Sequence, residues 1–136
     1  YLREVRERID ADRVFFVGTL DYERYLRLLQ ISACHVYLTY PFVLSWSCVE
    51  ALAAGCLVIG SDTPPVAEFI DHEDNGLLVD FFDTAGLTER VVDALAHPQR
   101  YRTLRERARA RVQAQHDLNL HSLPAQQALI EQLMGR

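Results

Sequence analysis

Along the chain the spacing of apolar positions changes from helical to strand-like and back several times. Leu2, Val5 and Ile9 recur among charges at helical spacing, which predicts an amphipathic helix over residues 1–9, interrupted by Asp10-Ala11-Asp12. Arg13–Val17 is a short apolar run closed by Gly18, and it reads as a strand. Asp21 suits the cap of a second helix whose apolar face is Tyr25, Leu28 and Leu29. Cys34–Tyr40 reads as the next strand, ending near Pro41, and Trp46–Ala54 as a helix stopped by Gly55. Cys56–Ile59 is continuously apolar, as a strand covered on both faces should be.

Pro64-Pro65 opens a short helix to Ile70, because proline is accepted in a first turn. Asn75-Gly76 is a turn and Leu77–Val79 a last short strand. From Thr84 onward the pattern is helical. Leu87, Val91, Val92 and Leu95 are expected to form one apolar stripe, stopped near His97-Pro98. A helix from Pro98 to Gln115 follows, then a polar break from His116 to His121 and a helix from Ser122 to Leu133. Strands alternating with helices predict an α/β fold: a Rossmann-like, doubly wound parallel sheet with helices on both faces and a helical C-terminus.

The stretch Tyr40-Pro-Phe-Val-Leu-Ser-Trp-Ser-Cys-Val-Glu50 is the chemical focus. Strand, polar elbow and helix present a helix N-terminus to an anion. Ser45 and Ser47 both suit the N-cap, and Ser47-Cys-Val-Glu50 reads as a capping box. The first turn then offers unpaired N–H groups and the positive end of the helix dipole.

Length and charge narrow the classes. A chain of 136 residues is one domain by length, here residues 1–136, and its net charge of −5 argues against nucleic acid as a partner. Cys34, Cys48 and Cys56 lack C-x-x-C spacing, which fits buried thiols in a reducing compartment and a cytoplasmic location. No signal peptide or long apolar span is visible, and a start on Tyr1 without methionine suggests a fragment. His35, His72, His97, His116 and His121 show no metal-ligand spacing, so no metal is expected. There is no G-x-S-x-G elbow, Walker loop or G-x-G-x-x-G, which removes support for hydrolase, ATPase and NAD readings. Arg100, Arg102, Arg105, Arg107, Arg109 and Arg111 crowd one helix, with Glu106 the one residue expected to offset them. They read as a solvated face, the alternative being a patch for an anionic membrane or an acidic partner.

The elbow and the helix after it resemble the donor-site signature of the family 4 glycosyltransferases of GT-B type, in a subgroup carrying Ser-Trp-Ser. Glu50 stands at the second glutamate of that signature, and Ala54-Gly55-Cys-Leu-Val-Ile-Gly-Ser-Asp62 continues it. Glu68 and Asn75-Gly76-Leu-Leu-Val79 also match, as does Val14-Phe-Phe-Val-Gly18, which is similar to the third strand of the family's C-terminal domain. Phe42 replaces the first glutamate, Val43 and Ser45 replace glycines, and Pro64-Pro65 replaces a glycine pair. The resemblance implies a truncated GT-B C-terminal domain, with two strands, a helix, the N-terminal acceptor domain and a basic Arg and Lys pair all upstream of Tyr1.

The resemblance implies roles for particular residues. Glu50 would accept hydrogen bonds from the two ribose hydroxyls of a nucleotide, whereas the spacing alone favours a capping glutamate; the two roles need not exclude each other. Ser45, Trp46, Ser47 and Cys48 would hold the diphosphate, chiefly through backbone amides, against plain capping for the serines and core packing for Trp46, which is favoured. Gly18, Thr19 and Leu20 would line the base; otherwise they are an ordinary βα turn. Phe42 cannot hydrogen-bond, so the sugar is held differently or activity is low. The Tyr40 hydroxyl is one substitute.

The implied function is the donor-binding half of a retaining, metal-independent glycosyltransferase of hexosyltransferase type. It would take a UDP- or GDP-sugar and pass the sugar to a glycan or lipid-linked acceptor held by the upstream domain, as in polysaccharide biosynthesis. Peripheral contact with the inner face of the membrane is part of that expectation, and the fragment alone should be inactive. The alternatives are a non-catalytic nucleotide- or glycan-binding module, which Phe42 favours, and a phosphoacceptor domain using Asp62. Without the upstream strands, Val14–Val17 is expected to slide beside His35–Leu38 as a fourth strand, or else two chains to pair edges as a dimer.

Overall fold

The computed structural model describes residues 2–10, 12–40 and 42–135. The expected helix start at residue 1, the break at Ala11 and the strand end at Pro41 lie outside the described residues. Three parallel strands form one sheet in the order β1 (Cys34–Tyr37), β2 (Leu57–Ser61), β3 (Leu77–Val79). Cys34 pairs with Leu57 and Tyr37 with Gly60, and on the other side Ile59 pairs with Leu77 and Ser61 with Val79.

The central strand is buried along its whole length because both faces are covered. Val58 turns to a core built with Leu29 of α2 (Tyr22–Ile31), Leu52 of α3 (Trp46–Ala53), Val66 of α4 (Pro64–Ala67), Ile70 and Ala108 of α6 (Arg102–His116). Leu57 and Ile59 turn to the other core, with Leu77, Val79 and Ala94 of α5 (Thr84–Ala96). Alternation of side chains across a strand thus produces two cores from one apolar run. Each fully buried aliphatic side chain stabilises the fold by about 1.5–3 kcal/mol relative to exposure. Gly60 and Gly76 let the layers close: a Cβ on Gly60 would lie 2.8 Å from Val66 Cγ1, and one on Gly76 2.9 Å from Ile70 Cγ2.

Several expectations are corrected here. Val14–Val17 is not a strand, and it does not join β1. Its residues stay exposed, Phe15 at 80%, and no strand lies on the outer side of β1 among the described residues. The run is apolar enough for a strand, but a strand needs a neighbour to take its backbone hydrogen bonds, and none is there. The four-stranded arrangement is therefore not formed, and β1 has an open edge.

Other differences are local. The first helix, α1, spans Leu2–Arg8, and α4 ends at Ala67. The strand predicted from Cys56 begins at Leu57 and runs on to Ser61, and β1 stops at Tyr37. Leu28 stays on the exposed side of α2 while Leu29 is buried. On α5, Leu87, Val91 and Ala94 face the core, whereas Val92 and Leu95 are exposed, so the expected single stripe does not exist. A 3₁₀ turn, Pro98–Tyr101, precedes α6, and a π turn, Leu118–Ser122, occupies the expected polar break before α7 (Leu123–Leu133).

The arginine run is offset after all. Arg107 and Arg111 pair with Asp74 and Asp71 across the chain, Arg100 with Asp93, and Arg105 Nε donates to the Gly55 carbonyl at 2.7 Å. Partners 7 to 50 residues away in sequence are invisible to local charge counting. The bonds of Arg105, Arg107 and Arg111 tie α6 to the end of α3 and to the loop before β3.

Candidate functional site

The strands are parallel, so their C-terminal ends lie together and their following loops form one surface. The elbow after β1 is positioned by two hydroxyls that sequence reading did not single out. Tyr37 Oη accepts a hydrogen bond from the Ser45 N–H at 2.7 Å, which places the first residue before α3. Ser61, fully buried at the end of β2, donates to the Thr39 carbonyl at 2.9 Å and accepts from the Thr39 N–H at 3.0 Å. Tyr37 was legible only as a strand residue, and Ser61 only as part of a motif. Their reach across the fold has no sequence signal.

Ser45 is the N-cap of α3. Its Oγ accepts from the Ser47 N–H at 3.3 Å and from the Ser47 hydroxyl at 3.1 Å, while the Cys48 N–H donates to the Ser45 carbonyl. The expected Ser47–Glu50 capping box is not formed, because the helix starts two residues earlier and Glu50 is too far along it to reach back. The Trp46 N–H makes no hydrogen bond among the described residues. That amide, and the long Ser47–Ser45 bond, are what the helix start can offer an anion. Trp46 itself is 78% exposed, not in the core as expected: it sits at the first position of a helix whose inward face is taken by Cys48, Val49 and Leu52.

Glu50 is half-buried and faces α2. Its carboxylate raises the pKa of the Tyr22 phenol, for which it is the main cause, and of Tyr25, where burial comes first. The Tyr25 Oη is buried and has no hydrogen-bond partner among the described residues. Glu50 is thus held at the α2–α3 seam, and the loop Gly18-Thr19-Leu20 leads into Asp21 at the start of α2. Asp21 caps α2 through a 2.9 Å bond from the Arg24 N–H. Gly18 has φ +67°, a left-handed conformation that turns the chain toward that cap.

Phe42 is 74% exposed in the elbow, so its ring does not serve the core. Tyr40 leans on Phe81 and Phe82, which follow β3. Asp62 has its N–H bonded to the Val79 carbonyl, and Thr63 carries a buried hydroxyl without a partner among the described residues. The segment after β1 therefore carries Tyr40, Phe42 and the Ser45–Cys48 helix start, while Glu50 faces α2 and Gly18–Leu20 lead into α2 along the chain.

The thiols are free. Burial pushes Cys48 up to about 12 and Cys56 up to about 11, so neither is a thiolate nucleophile at neutral pH. No group of three His, Cys, Asp or Glu arranged to hold a metal occurs among the described residues. Two surface hollows exist elsewhere. One, of about 580 Å³, lies between α5 and the 3₁₀ turn beside Asp93 and Tyr101; the other, of about 420 Å³, lies between the end of α3 and α6. Neither touches the elbow. No helix of the described residues is long and apolar enough to cross a membrane.

The model of the family described as glycosyl transferases group 1 matches residues 3–111. The N-acetyl-alpha-D-glucosaminyl L-malate synthase of Bacillus anthracis is 32% identical over 104 residues, which are 76% of this chain and 27% of that protein. Among solved structures, sucrose-phosphate synthase from Thermosynechococcus elongatus superposes with TM-score 0.82 at 31% identity, over 99% of this chain and 34% of that one. HepE of Anabaena, in complex with UDP-glucose, matches at TM-score 0.79 and 21% identity over all of this chain and 37% of its own, a likeness of fold. The chain thus spans about a quarter to a third of the length of these proteins.

Proposed function

The chain belongs to the glycosyl transferases of group 1, and from that membership we propose that it is the nucleotide-sugar-binding part of a retaining, metal-independent glycosyltransferase. The donor is a UDP- or GDP-sugar, and the acceptor a glycan or lipid-linked glycan held by another part of the protein. The observation that carries the reading is Glu50, an acid in the second turn of α3 that faces the phenols of Tyr22 and Tyr25 on α2, the helix that the Gly18–Leu20 loop leads into. A carboxylate there accepts two hydrogen bonds from vicinal ribose hydroxyls, with the base against Gly18-Thr19-Leu20. The HepE structure, which holds UDP-glucose on the same fold, supports the choice of ligand.

The diphosphate then lies at the start of α3. The Trp46 N–H is open to it, and the Ser47 N–H and hydroxyl can exchange their long bonds to Ser45 Oγ for a phosphate oxygen. Negative charge grows on the leaving diphosphate as the glycosidic bond breaks. The helix dipole and these donors stabilise that charge more in the transition state than in the ground state. Free thiols at Cys34, Cys48 and Cys56 support a reducing, cytoplasmic setting. We place the acceptor reaction at the inner membrane face.

The test is Glu50→Gln in the full-length protein, titrated calorimetrically with UDP and GDP. The amide keeps the shape and loses the charge. Nucleotide affinity should fall by about 1–3 kcal/mol, the scale of a charge-assisted hydrogen bond. Equal affinity in variant and wild type rules the ribose role out. The isolated 136-residue chain should transfer no sugar even with acceptor supplied, and donor consumption by it would overturn the assignment to a donor-binding part. Phe42, exposed where the family's sugar-contacting glutamate is expected, favours a second reading: a binding module without chemistry. Saturable nucleotide binding by the full-length protein with no transfer would select it.

A further inference from the structure

Three aromatic rings meet over the strand ends and serve no core. Tyr40 follows β1, and Phe81 and Phe82 follow β3, so the rings close across the end of β2. Their centroids are 5.4 Å apart for Tyr40–Phe81, 5.6 Å for Tyr40–Phe82 and 5.0 Å for Phe81–Phe82, all tilted or edge-on. Such geometries are the favourable ones for aromatic pairs, so the three rings hold one another in place. Yet Tyr40 is 58% and Phe82 71% exposed. A clustered, preorganised apolar surface left open to water at the ligand-binding end of an α/β sheet calls for an occupant.

Order across the strand ends identifies it. Glu50 faces Tyr22 and Tyr25 of α2, which the Gly18–Leu20 loop leads into; the helix start Ser45–Cys48 lies at the head of the same α3; and the aromatic trio joins the segments after β1 and β3. A nucleoside at the first and a diphosphate at the second leave the glycosyl ring for the third. The C–H groups on one face of a pyranose form an apolar surface that suits an aromatic face, whose quadrupole attracts them. Phe42, exposed in the same elbow, has no hydrogen-bonding group, so what it can offer a ligand is apolar contact.

We infer that Tyr40, Phe81 and Phe82 form a platform on which the pyranose ring of the donor stacks, and which helps to set donor specificity. The inference rests on the donor-binding reading above. It is tested on the full-length protein with matched pairs, UDP against UDP-glucose and GDP against GDP-mannose. Phe82→Ala and Phe82→Leu should leave the affinity for the bare nucleotide unchanged and weaken the nucleotide sugar about tenfold. Phe82→Tyr, which keeps the ring, should retain both.

Failure of the wild type to bind any nucleotide would remove the donor-binding reading itself. Nucleotide binding with the sugar-to-nucleotide affinity ratio unchanged in Phe82→Ala overturns the platform alone. The platform also falls if the variant lowers the melting temperature while the ratio holds, since the trio then packs against another part of the protein. Equal loss for nucleotide and nucleotide sugar overturns it too, because the ring would be supporting the whole elbow rather than the sugar.

Discussion

His35 shows how one side chain couples the sheet to pH. It lies in β1 opposite Val58, half-buried, with Nε2 buried and unpartnered among the described residues. Burial lowers its pKa, since an imidazolium there would lose its water without gaining a partner. The neutral form is therefore favoured in the fold. Stability from this group is complete above the unfolded value of about 6.5 and declines as pH falls below it toward the folded value. In His35→Gln that part of the slope should vanish, so the wild-type advantage in urea midpoint should be larger at pH 7.5 than at pH 5.5. A difference independent of pH would refute the assignment. Asp93 follows the same sign: the Tyr101 hydroxyl foremost, with Arg100 and His97, holds its carboxyl below the usual range, so its contribution is complete above the unfolded carboxylate value and declines as pH falls below it.

At the scale of elements, the elbow is anchored on both sides of its course, at Thr39 by β2 and at Ser45 by β1. Ser61 bonds both backbone groups of Thr39, and Tyr37 bonds the N–H that leads into α3. Ser61→Ala strands a partly buried N–H and C=O and should cost about 1–3 kcal/mol by denaturant unfolding. Tyr37→Phe should cost less stability, about 0.5–1.5 kcal/mol, because it removes a single bond at a partly buried site. If Ser61→Ala unfolds at the wild-type midpoint, the Thr39 groups are satisfied by water and the elbow is not anchored there. The seam between α3 and α6 is held by apolar packing at Leu52 and Ala108 and by Arg105 on the Gly55 carbonyl, where the positive φ of +76° turns the chain out of α3. The cation satisfies a carbonyl at the negative end of the α3 dipole.

For the whole molecule, the consequence of three strands is an open edge. Val36 on β1 and Leu38 just after it are 41% and 42% exposed, and Phe15, Phe16 and Val17 belong to no strand. Exposed strand edges and apolar segments recruit other chains. The isolated 136-residue chain should therefore associate with rising concentration, detected as a growing sedimentation coefficient in analytical ultracentrifugation. Val36→Lys should suppress it, because a charge on an edge strand opposes pairing. A monomer at all concentrations for the wild type would show that the edge is protected.

Much of this architecture is local information. Asp21 caps α2, Ser45 caps α3, Gly55 turns the chain after it, and the apolar run at residues 57–59 becomes a strand covered on both sides. Each depends on groups within a few residues, so the pattern of types and spacings was enough to find them. Membership of the family was legible in the same way, from Glu50 and the helix and strand that follow it. What the tertiary structure decided is everything that needs a partner distant in sequence. Val14–Val17 has strand-like composition but no neighbour to take its hydrogen bonds, and Trp46 is apolar but starts a helix whose inward face is occupied. Glu106 was the one acid the sequence offered to the arginine run, until Asp71 and Asp74 were brought to Arg111 and Arg107, and Asp93 to Arg100. Ser61, Tyr37 and the Tyr40–Phe81–Phe82 cluster were silent in sequence for the same reason: their partners lie 8 to 22 residues away or farther, joined only when the parallel strands align their ends.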